Sequence, residues 1–123
     1  MRAIHFLSSK SVEALETYTQ LTTRYGQTVL EKADVIVAIG GDGTMLHALH
    51  TSIGTDLPVY GLNRGSVGFL MNRVEDDDLP SRLDKAERVA IHPLDMTAID
   101  NNGHEQKKIA FNSIIHKYHI FIL

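Results

Sequence analysis

Three glycines within four positions follow a run of apolar residues in the first half of the chain. The run at 35–39 is short and mostly β-branched, which predicts a buried strand over 33–39. Gly40, Gly41 and Gly43 follow with Asp42 between them, and residues 44–51 predict a helix. Because glycine permits close backbone approach and a helix N-terminus presents unpaired N–H groups, this turn predicts an anion site. A carboxylate there repels phosphate, so Asp42 calls for a metal ion or a role in proton transfer.

Composition excludes several classes of protein. The 123 residues are 43% hydrophobic and 22% charged, as in ordinary soluble globular proteins. A net charge of −3 gives no reason to expect nucleic-acid binding. Without cysteine, disulfides and thiolate metal sites are excluded. The N-terminus lacks the long apolar region of a signal peptide, and no apolar run reaches transmembrane length. We therefore expect a cytoplasmic protein without a membrane partner.

Strand and helix patterns alternate over the first three quarters of the chain. Residues 3–7 predict a strand, and apolar residues at helical spacing from Ala14 to Tyr25 predict a helix that stops at Gly26. Short strands are expected at 28–30 and 57–62, and a helix with an acidic first turn is expected near 79–83. Ser8, Ser9 and Ser11 are candidate caps of the first helix. This alternation predicts an α/β fold: a Rossmann-like parallel sheet with helices on both faces.

A second glycine-rich segment, residues 61–70, leaves the strand at 57–62. Both glycine segments therefore leave the C-terminal ends of neighbouring strands, which is where open α/β sheets bind ligands. Two nucleotide signatures do not fit the first segment. A Walker A loop needs a lysine after its last glycine, but Thr44 stands there, and the dinucleotide fingerprint needs a small residue where Leu46 stands.

The pattern changes after Pro93. Residues 94–111 predict a β-hairpin around Asn102 and Gly103, which begins a second, β-rich region. We expect a nucleotide-binding α/β domain at 1–92 and the start of a truncated β-rich region at 93–123, with an atypical tail from 113. The tail has four isoleucines and no acidic residue, which is typical of a strand that needs a partner.

The two glycine segments resemble the first and second motifs of the NAD kinases, which phosphorylate the adenosine 2′-hydroxyl of NAD to make NADP. Residues 40–44 resemble the first motif, and residues 61–70, which end in Gly68-Phe69-Leu70, resemble the second and more discriminating one. Diacylglycerol and sphingosine kinases share a similar first motif, but their second loop usually ends differently. The resemblance covers nearly all of residues 1–112.

The resemblance implies a site and its substrates. Asp42 would accept the proton of the 2′-hydroxyl as it attacks the γ-phosphate of ATP, and Mg²⁺ would offset the charge of ATP. The implied ligands of the nucleotides and phosphates are Gly41, Gly43, Thr44, Asn63, Arg64, Phe69 and Asn112. Phe69 corresponds to a phenylalanine beside the NAD adenine. Asn112 matches the first residue of the family's Asn-Glu motif, and Ser113 replaces the glutamate. No protein residue is predicted to be a metal ligand.

The departure from the family at Ser113 supports the hypothesis of a truncated NAD kinase that lacks the C-terminal β-rich domain. Such a chain would be weakly active or inactive, and its exposed β edges would favour self-association or a homo-oligomer. Two other functions stay open: a non-catalytic nucleotide-binding remnant, and a lipid kinase, which Gly68-Phe69-Leu70 disfavours. Asp42 also suits a helix cap, and His47 with His50 one turn later suits a metal site only weakly.

Overall fold

A computed structural model of the chain describes residues 3–64, 71–74, 78–87, 89–91 and 120–122. The strands are β1 (Ile4–Ser8), β2 (Val35–Ile39), β3 (Val59–Asn63), β4 (Asn72–Arg73), β5 (Val89–Ile91) and β6 (Ile120–Ile122). The helices are α1 (Val12–Tyr25), α2 (Asp42–Ser52) and α3 (Leu79–Lys85). Strands and helices therefore alternate from β1 to β3, as the pattern of apolar residues predicts.

These six strands form one sheet in the order β1-β2-β3-β6-β5, and β4 pairs with β3. Strands β1, β2 and β3 are parallel neighbours, and β6 is parallel to β3. Strand β5 runs antiparallel to β6. The predicted α/β fold with a parallel sheet is confirmed.

Helices cover both faces of this sheet. All five residues of β2 are buried, and their side chains alternate between the two faces. The face covered by α2 contains Ile36, Ala38, Met45, Ala48, Leu49, Val59 and Met71. The face covered by α1 and α3 contains Ile4, Phe6, Ala14, Val35, Val37, Ile39, Tyr60, Leu62, Leu79 and Leu83. Each fully buried Leu, Ile, Met or Phe contributes about 1.5–3 kcal/mol of transfer free energy, so these two layers hold the helices to the sheet.

Helix α1 begins and ends where its polar residues and glycine allow. The Ser11 side chain accepts a hydrogen bond from the Ala14 N–H (3.2 Å), which caps the helix, so the predicted cap is confirmed at Ser11. Gly26 ends the helix with a φ of 81°, a conformation that glycine adopts without strain. Leu15 belongs to the predicted apolar spacing but is exposed.

The predicted strand at 28–30 is wrong, because a single 3₁₀ turn occupies Leu30–Lys32 instead. The preceding residues pair with the outer edge of β1. The Thr28 N–H donates to the Ile4 carbonyl (2.9 Å), while the Gln27 side-chain amide accepts from the Phe6 N–H (2.8 Å) and donates to the Phe6 carbonyl (3.0 Å). A side-chain amide therefore replaces the backbone of a neighbouring strand and covers an open sheet edge.

Strands β3 and β4 are joined by an unusually short parallel connection. Leu62 pairs with Asn72 and Asn63 with Arg73 in parallel register, so only residues 64–71 connect the two strands. Parallel neighbours usually need about a dozen or more connecting residues. The Asn72 side chain also donates to the Gly61 carbonyl (3.1 Å). A Cβ on Gly61 would lie 2.7 Å from the Met71 Sδ and 3.0 Å from the Met45 Sδ, so glycine here lets both methionines pack against β3.

The remaining predictions fall partly outside the described residues. The hairpin at 94–111 lies outside them, and the domain boundary at 92/93 stays a prediction. From the tail, β6 pairs with β3 and β5. The expected acidic first turn of α3 is wrong, because Asp78 precedes the helix as its N-cap and no acidic residue lies in the first turn itself. Among the described helices, none has the length and apolar character needed to cross a membrane.

Candidate functional site

The C-terminal ends of β1, β2 and β3 meet in a row of backbone hydrogen bonds. The Ser9 N–H donates to the Ile39 carbonyl and the Gly40 N–H donates to the Leu62 carbonyl, both at 2.9 Å. The first glycine turn therefore lies between the residue that follows β1 and the end of β3. The prediction that both glycine segments leave neighbouring strands at one edge of the sheet is confirmed by the parallel pairing of β2 with β3.

Gly40 makes the tight turn from β2 into α2. Its φ is 152°, a conformation that other residues rarely adopt. A Cβ there would lie 2.5 Å from the Thr44 Oγ1 and 3.1 Å from the Ser9 Cβ. The glycine therefore allows Thr44, in the first turn of α2, to pack against the strand end.

Asp42 is the first residue of α2, and Gly41 precedes it as the N-cap. The alternative that Asp42 is only a helix cap is therefore not what the structure shows. Its side chain is exposed, and no described residue donates a hydrogen bond to its carboxylate. The first hydrogen bond of the helix runs from the Met45 N–H to the Gly41 carbonyl (3.1 Å), so the N–H groups of Gly43 and Thr44 have no partner within the helix.

Space is open beside the two glycines that flank Asp42. A Cβ placed on Gly41 or on Gly43 would meet no described heavy atom within 4 Å. Packing of the fold therefore does not explain why these positions are glycine, in contrast to Gly40. The open space, the free N–H groups and the exposed carboxylate lie together at the start of α2, and this arrangement can admit an anionic group close to the backbone.

The second glycine segment begins beside this turn. Asn63 ends β3 next to Leu62, whose carbonyl accepts the Gly40 N–H, and Asn63 is partly buried. The Arg64 guanidinium lies against α1 instead: its Nη1 is 3.0 Å from the Glu16 Oε2 and 3.5 Å from the Glu13 carbonyl. Phe69 and Asn112 lie outside the described residues, so their roles stay predictions.

Metal-binding side chains do not cluster in the described ranges. No group there combines three His, Asp or Glu residues in a position to hold an ion, and this includes the surroundings of His47.

A wide cleft of about 700 Å³ lies between α1 and α3. Its lining includes Thr17, Leu21, Arg24, Leu62 and Arg82. Arg82 contributes to the wall by lying over the Tyr60 ring at 5.7 Å and donating to the Arg73 carbonyl. None of its lining residues belongs to the 40–44 turn.

Sequence reasoning missed two residues near the site. Ser9 was expected only as a helix cap, but its backbone and Cβ lie directly beside the glycine turn. Glu16 gave no signal, because its partner Arg64 is far away in the sequence and only the fold brings them together.

Fold and site together define an α/β protein with a glycine turn at the C-terminal edge of a parallel sheet. Residues 2–88 match the family described as the ATP-NAD kinase N-terminal domain. The chain is 49% identical over 109 residues to a protein of Caulobacter vibrioides named NAD kinase. The alignment covers 89% of this chain and 42% of that protein. NAD kinases of Brucella melitensis and Rhizobium meliloti are each 46% identical over 112 residues, covering 91% of this chain and 44% of theirs.

The chain belongs to the NAD kinase family. It spans less than half the length of the curated relatives it matches.

Proposed function

We propose that the Gly40–Thr44 turn is the phosphoryl-transfer site of an NAD kinase, which uses ATP to phosphorylate the adenosine 2′-hydroxyl of NAD. The observation that carries this proposal is the exposed Asp42 carboxylate between two glycines that have open space beside them. Family membership supplies the reaction class, since the relatives are named NAD kinase. The exposed position of Asp42 and the open space beside Gly41 and Gly43 support the choice of these residues.

In this proposal Asp42 is the general base. The 2′-hydroxyl is a weak nucleophile, and a carboxylate within hydrogen-bond reach accepts its proton as the oxygen attacks the γ-phosphorus. A new P–O bond forms to the 2′-oxygen, the bond from the γ-phosphorus to the β–γ bridging oxygen breaks, and ADP leaves. Asp42 then returns the proton to solvent. The products are NADP and ADP.

The phosphates would lie against the start of α2. The N–H groups of Gly41, Gly43 and Thr44 are available to donate to phosphate oxygens, and the positive end of the helix dipole favours them. The negative charge of Asp42 opposes phosphate binding. ATP therefore enters as its Mg²⁺ complex, in which the cation reduces the charge on the phosphates.

The other residues of the proposed site would bind NAD. Asn63 ends β3 beside Leu62, whose carbonyl accepts the Gly40 N–H, and by resemblance it is a ligand of the nucleotide. By resemblance, Phe69 packs beside the adenine and Asn112 binds the nucleoside. By resemblance Arg64 is a further candidate phosphate ligand, but in this structure its guanidinium is paired with the Glu16 carboxylate of α1.

A second candidate is a nucleotide-binding remnant that lacks catalysis. The 123 residues match 42–44% of the length of these relatives. Accurate positioning supplies much of the rate of phosphoryl transfer, so a partial site loses far more rate than a single contact provides. We therefore expect the isolated chain to bind nucleotides and to form little or no NADP. A lipid kinase function has no support from the relatives.

The decisive experiment joins this chain to the C-terminal part of a relative. Residues 1–112 are fused to the C-terminal part of the Caulobacter vibrioides enzyme, and NADP formation from NAD and MgATP is measured. The fusion is expected to be active, and Asp42→Asn is expected to lower kcat by about 100-fold or more, because general-base catalysis contributes roughly that much. A folded fusion without activity, or an Asp42→Asn variant as active as its parent, contradicts the proposal.

The same proposal covers location and assembly. We infer a cytoplasmic protein, because its proposed substrates NAD and ATP are metabolites of that compartment. We also infer self-association through β edges, which size-exclusion chromatography with light scattering tests directly. A sharp monomer peak counts against self-association.

A further inference from the structure

Arg64, the residue that follows β3, forms an ion pair with helix α1. Its Nη1 is 3.0 Å from the Glu16 Oε2 and also approaches the Glu13 carbonyl at 3.5 Å. Both contacts lie in the first half of α1, which covers the face of the sheet opposite to α2. The guanidinium is therefore held on one face while Asp42 begins the helix on the other.

The end of β3 is constrained from its other side as well. Strand β4 pairs with Leu62 and Asn63, and the Asn72 side chain donates to the Gly61 carbonyl. The Gly40 N–H donates to the carbonyl of Leu62, so any displacement of this strand end also moves the glycine turn. The residue that follows β3 is Arg64, and the ion pair with Glu16 holds its side chain against α1.

We propose that Glu16 is a positioning residue for the nucleotide site: its carboxylate holds Arg64 and thereby sets where Asn63 lies relative to the Gly40–Thr44 turn. Glu16 lies outside both glycine segments, and its carboxylate contacts the Arg64 guanidinium. This inference rests on the proposed function, because a positioning role requires that nucleotides bind at the turn. The pair is partly exposed, at 41% for Arg64 and 59% for Glu16, so its effect is modest.

A competing role for the same ion pair predicts the opposite result. If Glu16 merely holds Arg64 until a phosphate takes its place, then loss of the Glu16 charge frees Arg64 and strengthens MgATP binding. If Glu16 positions the strand end, loss of its charge weakens binding. The sign of the change in Kd therefore separates the two roles.

The test compares Glu16→Gln with Glu13→Gln in the full 123-residue chain. Both variants remove one negative charge from α1, but Glu13 contributes its backbone carbonyl to Arg64, and glutamine retains that carbonyl. Binding of MgATP and of NAD is measured by isothermal titration calorimetry. Glu16→Gln is expected to raise Kd by about two- to five-fold, the effect of an exposed ion pair, and Glu13→Gln to leave it unchanged.

Amide hydrogen exchange in the ligand-free protein gives a second readout. Peptides that cover the end of β3 are expected to exchange faster in Glu16→Gln than in Glu13→Gln, with melting temperatures alike. Tighter MgATP binding by Glu16→Gln, or equality of the two variants in binding and exchange, overturns the inference. If the unsubstituted chain binds neither nucleotide, the proposed nucleotide site fails and the inference about Glu16 fails with it, whereas equality of the two variants in a chain that binds nucleotides overturns the inference alone.

Discussion

Thr44 packs so closely against Gly40 that no side chain fits between them: a Cβ on Gly40 would lie 2.5 Å from the Thr44 Oγ1. Gly40 is the first residue after β2, and Thr44 lies in the first turn of α2. The adjacent Gly41 and Gly43 have no such neighbour. Glycine is therefore required for packing at Gly40 but not at Gly41 or Gly43. Substitutions at these positions distinguish a role in stability from a role in binding.

Gly40→Ala is expected to destabilise the fold. The new Cβ meets Thr44 and Ser9, and the φ of 152° strains any residue other than glycine. The combined loss in the free energy of unfolding is about 2–4 kcal/mol, measured by urea denaturation. Gly43→Ala is the matched control, since it lies in α2 with open space around it and alanine favours a helix. Equal stability of the two variants would argue against the geometry at Gly40.

Gly41→Ala and Gly43→Ala are expected to weaken nucleotide binding without weakening the fold. Each Cβ would project into the open space beside Asp42, where the phosphates are proposed to lie. We expect the Kd for MgATP to rise by about tenfold, which corresponds to roughly 1.4 kcal/mol, with an unchanged urea midpoint. Unchanged Kd values in both variants would place the nucleotide elsewhere.

Two leucines on different helices test the assignment of the core. Leu49 in α2 is 0% exposed, and Leu15 in α1 is 45% exposed. Leu49→Ala removes buried methyl groups and leaves a cavity, so it should lower the free energy of unfolding by about 2–5 kcal/mol. Leu15→Ala, the same chemical change at an exposed position, should cost less than about 1 kcal/mol. Chemical denaturation of both variants checks this difference. A larger loss of stability in Leu15→Ala than in Leu49→Ala would contradict the burial of Leu49 and the exposure of Leu15.

Gln27→Ala is expected to open the outer edge of β1. The Gln27 amide both accepts from the Phe6 N–H and donates to the Phe6 carbonyl, so alanine leaves two strand groups to water. The expected cost is about 1–2 kcal/mol, with faster amide exchange at Phe6 and more self-association at high concentration. Gln27→Glu is the control that retains the acceptor and loses the donor, and it should fall between alanine and the parent. Unaltered exchange at Phe6 would refute the edge contact.

Local patterns in the sequence were sufficient to predict most of the elements. The apolar run before Gly40 predicts β2, and the cap at Ser11 with the stop at Gly26 predicts α1, because the forces involved act over a few residues. The position of the glycine turn at the sheet edge also follows from its place after a strand. Family membership was visible in the two glycine segments and is confirmed by the matching domain at residues 2–88.

Contacts between distant residues could not be predicted in this way. No local signal pairs Arg64 with Glu16 or Gln27 with Phe6, since these contacts exist only after the helices and strands have packed. The prediction of a strand at 28–30 is wrong for the same reason, because the contacts of Gln27 with Phe6 have no local signal in the sequence. An apolar run near a sheet can form a 3₁₀ turn when a side-chain amide has already covered the strand edge. Leu15 shows that helical spacing does not determine the burial of each apolar residue.

The short connection between β3 and β4 has a consequence for how this protein can change during evolution. Leu62 and Asn63 are held in parallel register with Asn72 and Arg73, on either side of residues 64–71. One added or deleted residue would shift β4 by one position and reverse the direction of its side chains relative to the sheet. Met71 would then leave its contact with Gly61. Insertions and deletions between β3 and β4 are therefore expected to be disfavoured, so the length of this connection should vary little.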